Sequence, residues 1–199
     1  MKRLTWTICR LTKEGVCEDR RTLKHTKKLE KEGDKWAAVL YSGLALTMYR
    51  NWNMKKTAVT RLVDVTWDAW QECATDHDSS IIKMCEAETG IEVQNGSGTS
   101  WRDVPYLSGE SMGDMTEEQW LYMRQQQIKW VKPSIMACIL IGLHRKYGFG
   151  YDRCLRVYQQ IQAIEEEYKD NPKRICRAAL EEVGVDVNEM MHRKRTVPA

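Results

Sequence analysis

The stretch "IGLHRKYGFGYDRCLRV", residues 141–157, sets two glycines between an apolar run and an amphipathic one. How the fold is read depends on whether these glycines cradle a phosphate or bend the chain between two helices. A phosphate-binding loop brings backbone N–H groups close to its ligand and usually carries a third glycine, which is missing here. A second stretch decides the matter. "LTMYRNWNMKKTAVTRL", residues 46–62, falls over the first at an offset of 95, pairing Arg50 with Arg145, Trp52 with Tyr147, Met54 with Phe149 and Arg61 with Arg156. Asn53 stands where the later stretch has Gly148, and Asn and Gly are the two residues that tolerate the left-handed end of a helix. Lys55 stands at the position of Gly150, so no close backbone approach is needed there. The motif reads as a helix-to-helix joint present twice.

The correspondence extends downstream. "IIKMCEAETGIEV" (81–93) matches "ICRAALEEVGVDV" (175–187) at an offset of 94, with Glu88 over Glu182, Gly90 over Gly184 and Val93 over Val187. Repeats dictate architecture before any single motif does. The expected fold is therefore mainly α, two related three-helix units produced by internal duplication, with a small N-terminal β-hairpin. That hairpin is suggested by the period-two alternation of "LTWTICRL" (4–11) before Lys13-Glu14-Gly15.

Helix periodicity and caps give the expected elements. In the second unit, Pro133 suits a first helical turn and Ser134 to Tyr147 is apolar almost all round, the pattern of a buried helix. Asp152 to Lys169 is amphipathic through Leu155, Tyr158, Ile161, Ile164 and Tyr168, and Lys173 to Val183 ends at Gly184. In the first unit the equivalents are Asp34 to Trp52, Met54 to Cys73 and Ser79 to Thr89, with Asp34 and Ser79 as N-caps. Between the units, Thr116 to Gln119 is a capping box opening a helix to Trp130. The resulting division is an N-terminal basic segment (1–33), a first helical repeat (34–93), a linker loop (94–115), a connecting helix with the second repeat (116–188) and a flexible basic tail (189–199). Within the first segment, residues 20–35 favour a solvated helix over a disordered basic arm.

Net charge is only +3, but its distribution is uneven: residues 36–63 hold four basic and no acidic residues, whereas residues 64–118 hold thirteen acidic and two basic ones. The acidic stretch reads either as solvated helix and loop or as a mimic of phosphate charge. Seven dispersed cysteines without a C-x-x-C pair and without a signal-peptide pattern fit a reduced, cytoplasmic setting. The longest strongly apolar run, Ile135 to Leu143, is far short of the roughly 20 residues a membrane span needs.

Candidate chemistry is sparse. The four histidines (25, 77, 144, 192) show no ligand spacing, and no Walker motif or Ser-His-Asp order occurs. No catalytic, cofactor-binding or metal-binding residue is assigned, and the chain is expected not to be an enzyme; an unrecognised nuclease using dispersed carboxylates is a third reading. The candidates that remain are the basic and aromatic residues at the two joints: Arg50, Trp52, Lys55, Lys56 and Arg61, and Arg145, Lys146, Tyr147, Arg153 and Arg156. Such residues grip phosphates in helical nucleic-acid binders. A simpler account, complementing the negative C-terminal ends of helices, explains Arg50, Arg145 and Lys146 without a ligand.

"ILIGLHRKYGFGYDRCLRVYQQI" with "ALEEVGVDV" resembles small uncharacterised helical proteins encoded by phages and prophages of Gram-positive bacteria. These carry an aliphatic-H/N-x-x-[FY]-G-F-G-x-x-R-[LI] signature and a final E-E-[LIV]-G-[IV] element. The resemblance covers residues 135–187, with a degenerate copy at 44–93. It implies a mobile-element setting. The leading expectation is a non-enzymatic interaction protein that binds and inhibits a host nucleic-acid-handling defence complex, in the manner of an anti-CRISPR, in the cytoplasm of a bacterial host. The second is a DNA- or RNA-binding regulator using the joint residues.

Overall fold

A computed structural model describes residues 20–73, 78–94 and 117–196 of the chain. Among these residues the elements are all helical: α1 (Arg20–Arg50), α2 (Lys56–Cys73), α3 (Asp78–Thr89), α4 (Glu117–Tyr147), α5 (Tyr151–Glu167), α6 (Lys173–Ala178) and α7 (Val187–Thr196). α6 continues without a break into one π-type stretch, Ala179–Val183.

The centre is made by α1 and α4. Ala37 to Met48 is buried at every position, including Gly43, where a Cβ would lie 3.4 Å from Ile161, and Ile135 to Leu143 is likewise enclosed. A helix apolar on all sides needs neighbours on all sides. The two run side by side in the same direction, since Lys132 of α4 lies over Trp36 of α1 near one end and Phe149 stacks on Trp52 just past the other. Their partners are exchanged. α2 and α3, which follow α1 in the chain, pack chiefly on α4, while α5, α6 and the π-type stretch, which follow α4, pack on α1. α2 folds back along α1 after the joint, so that Tyr41 meets Trp67 at 5.0 Å between ring centroids and donates its hydroxyl to the Thr66 carbonyl at 3.2 Å.

Both joints take one backbone form. Asn53 has φ 50° and Gly148 φ 64°, and in each case the next amide reaches back six residues, from Met54 to the Met48 carbonyl (3.1 Å) and from Phe149 to the Leu143 carbonyl (3.3 Å). That is the left-handed helix termination the sequence predicts. The short third helices also end alike, on Gly90 at φ 74° and Gly184 at φ 78°.

Boundaries differ from the sequence reading: α1 ends at Arg50, not Trp52, α2 starts at Lys56, not Met54, and α5 spans Tyr151–Glu167, not Asp152–Lys169. α1 begins at Arg20 and runs through Asp34, which is therefore an interior residue and not an N-cap. α3 begins one residue before Ser79, at Asp78. α4 is one 31-residue helix passing through Pro133, although proline removes an intrahelical hydrogen bond. Pro133 is buried and Ser134 Oγ donates to the Trp130 carbonyl at 2.8 Å, so packing and a side-chain bond hold the helix together at this point. Val187–Thr196 is helical, not a flexible tail: Met190 and Met191 are buried and Asp186 caps the first turn through Glu189 N–H at 3.0 Å. The N-terminal hairpin, Thr116 of the capping box and most of the linker loop lie outside the described residues.

Candidate functional site

Because α1 and α4 run in the same direction, their C-terminal joints arrive at the same end of the molecule and touch. Trp52 of the first joint stacks on Phe149 of the second, with ring centroids 5.4 Å apart and planes 21° apart. Tyr147 meets Phe149 edge-on at 6.5 Å. The Trp52 indole N–H donates to Gln160 Oε1 at 2.8 Å, tying the first joint to α5. Phe149 is the hinge of the cluster, buried between the two joints. Its carbonyl accepts from His144 Nδ1–H at 2.8 Å and from the Cys154 thiol at 3.6 Å, which closes the turn.

Cations surround these rings. Arg156 lies over Trp52 at 6.0 Å, Arg153 over Phe149 at 5.6 Å and Lys56 over Tyr49 at 5.8 Å. Arg61 is close enough to Tyr147 to favour its ionised form, although burial, the larger influence, raises the phenol above its ordinary range. Lys55, Lys56, Arg61, Arg153 and Arg156 are all exposed, and among the described residues no carboxylate pairs with them. The exposed Lys146 sits beside Tyr147. One acid, Asp152, occupies the first turn of α5. Guanidinium groups held over aromatic faces keep their charge and their hydrogen-bonding edges directed outward.

Arg50 and Arg145 have a different task. Arg50 grips Glu182 through two hydrogen bonds, Nε–Oε2 at 2.8 Å and Nη2–Oε1, and also reaches Glu167 at 3.3 Å. Arg145 grips Glu88 in the same bidentate way, with Nε–Oε2 at 2.9 Å. The first pair joins α1 to the π-type stretch after α6, and the second joins α4 to α3. The Arg145 and Arg50 hydrogen bonds hold the Glu88 and Glu182 carboxyls below the ordinary carboxylate range. Both arginines are thus engaged by internal carboxylates, and the complement of each helix end is an ion pair to another helix.

Of the ten predicted contact residues, Trp52, Tyr147, Arg153 and Arg156 gather directly around the joint contact, with Lys55, Lys56, Arg61 and Lys146 on the adjoining stretches. Sequence reasoning missed the joining role of Phe149 and the carboxylates of Glu88 and Glu182. A signal for the carboxylates existed: both members of each ion pair occupy matched positions of the two stretches, Arg50 with Arg145 and Glu88 with Glu182.

Elsewhere, burial raises the Cys85 thiol to about 12 and the Cys154 thiol to about 11, so neither is an activated nucleophile. Among the described residues no group of three or more His, Cys, Asp or Glu is placed to hold a metal ion, and no helix is long and apolar enough to cross a membrane. No family model, curated protein or solved structure matches the chain.

Proposed function

We propose that the protein is a non-enzymatic interaction protein that contacts nucleic acid through the joint face, and that it acts in this way on a host nucleic-acid-handling complex. One observation carries the reading. Arg153 and Arg156, with Lys55, Lys56 and Arg61 from the first joint, adjoin one aromatic cluster and pair with no carboxylate among the described residues, while Arg50 and Arg145 are held in ion pairs. Unpaired guanidinium and ammonium groups on a shared surface are the usual footprint of phosphate binding. The phage or prophage setting and the inhibitory role come from the resemblance of the second joint.

The same reading takes the two units as duplicated copies. It is supported by the left-handed residue and six-residue back-bond at each joint and by the reciprocal Arg–Glu pairs. Duplication doubles whatever the joint does and brings both copies to one face.

A gel-shift series on duplex and single-stranded DNA tests the function. Binding that weakens steeply between about 50 and 200 mM salt is the expected result. Arg153→Glu with Arg156→Glu abolishes it while the helical circular dichroism is kept. No binding to any nucleic acid, together with co-purification of a protein-only host partner, contradicts this reading.

A further inference from the structure

We infer that the occupant of the joint face is a double-stranded nucleic acid, gripped along its phosphate backbone with the two-fold axis that passes between the two joints set on a local two-fold axis of the duplex. This rests on the reading of the joint face as a nucleic-acid surface given above, and it narrows the ligand class.

The ion pairs around the joint are reciprocal, Arg50 to Glu182 and Arg145 to Glu88. Arg156, from the second unit, covers Trp52 of the first at 6.0 Å. Trp52 and Tyr147 are matched positions, as are Arg61 and Arg156. With α1 and α4 running in the same direction, the exchange of ion pairs corresponds to a two-fold rotation about an axis lying between these helices. That axis leaves the molecule at the joint end, beside Phe149, whose ring meets both Trp52 and its matched residue Tyr147. Cations of one unit therefore face those of the other across it.

The two strands of a duplex run antiparallel and are related by local two-fold axes perpendicular to the helix. A protein surface with its own two-fold arrangement meets equivalent phosphates on both strands. A single strand offers no such relation.

The aromatic rings favour the same choice. Proteins that bind single strands stack bases on open rings. Here Trp52 is stacked on Phe149, lies under Arg156 and has spent its indole N–H on Gln160. Phe149 is buried, with Arg153 over its ring. Around this stack the groups that point outward are guanidinium and ammonium, which contact phosphate and leave base sequence unread, with the exposed ring of Tyr151 set beside them at the start of α5.

Fluorescence polarisation of the full chain tests this, using a labelled mixed-sequence duplex and, separately, each of its strands. The duplex is expected to bind at least about tenfold tighter than either strand. Arg61→Ala and Arg156→Ala are expected to weaken duplex binding by similar factors, each lowering the salt slope by about one. Thermal melting verifies that both variants fold. Equal or tighter binding of a single strand overturns the duplex inference and leaves the nucleic-acid reading standing. Loss confined to one of the two arginines overturns the two-fold placement. Absence of binding to duplex and strands alike overturns the underlying reading itself.

Discussion

The two joints have one backbone and different side chains. Around 53 the left-handed residue is Asn, followed by Met54 and two lysines; around 148 it is Gly, followed by the buried Phe149, a second glycine and Tyr151. The backbone form is thus fixed by helix termination, which either residue satisfies. The side chains are free to diverge, and they divide the work. Phe149 supplies the ring on which Trp52 stacks, whereas Lys55 and Lys56 add charge that the second joint takes from Lys146 and Arg153.

If Phe149 is the shared element, its removal should damage both joints. Phe149→Ala is expected to destabilise the protein by about 3–5 kcal/mol, the largest effect proposed, and to shift Trp52 fluorescence; urea unfolding measures it. Met54, at the matched position, is only partly buried, and Met54→Ala is expected to cost about half as much. Equal losses at the two positions would break the asymmetry described.

The backbone comparison sharpens through the left-handed residues. Gly148→Ala meets open space but places a Cβ at φ 64°, a loss of about 1–2 kcal/mol. Asn53→Gly relieves the smaller strain of Asn and should change stability by no more than about 0.5 kcal/mol. Chemical denaturation of both variants distinguishes the backbone account from one in which the Asn53 side chain matters.

The ion pairs give the smallest effects. Glu88 and Glu182 have folded-state pKa values depressed by their arginines, so their contribution is present above the unfolded value, about 4.3, and is lost as pH falls through the folded one. Melting temperature should fall less steeply below about pH 4.3 in the Glu88→Gln, Glu182→Gln double variant than in the parent. Each pair is partly exposed, so its worth is under about 1 kcal/mol. Similar losses for the two single variants are expected from matched geometry.

Much of this was legible in the sequence. The apolar stretch 135–143 announced a buried helix, and Asn53 opposite Gly148 announced the joint. Helix lengths were not legible, because Asp34 and Pro133 are local stop or start signals that burial and the Ser134 hydrogen bond override. The cap at Asp186 was present as D-x-x-E but lay in a short charged segment whose two buried methionines reveal themselves only against the core. The exchange of partners between units was beyond reach of periodicity, which shows that a face is apolar without showing what covers it. For the candidate site, the residue types were readable and their convergence was not.

The central claim is that both joints form a single binding face. Hydrogen–deuterium exchange of the full chain with and without a saturating mixed-sequence duplex addresses it most directly. Simultaneous protection of residues 52–61 and 147–156 is the predicted result. Protection of one joint alone, or protection confined to the basic stretch 20–35, would contradict it.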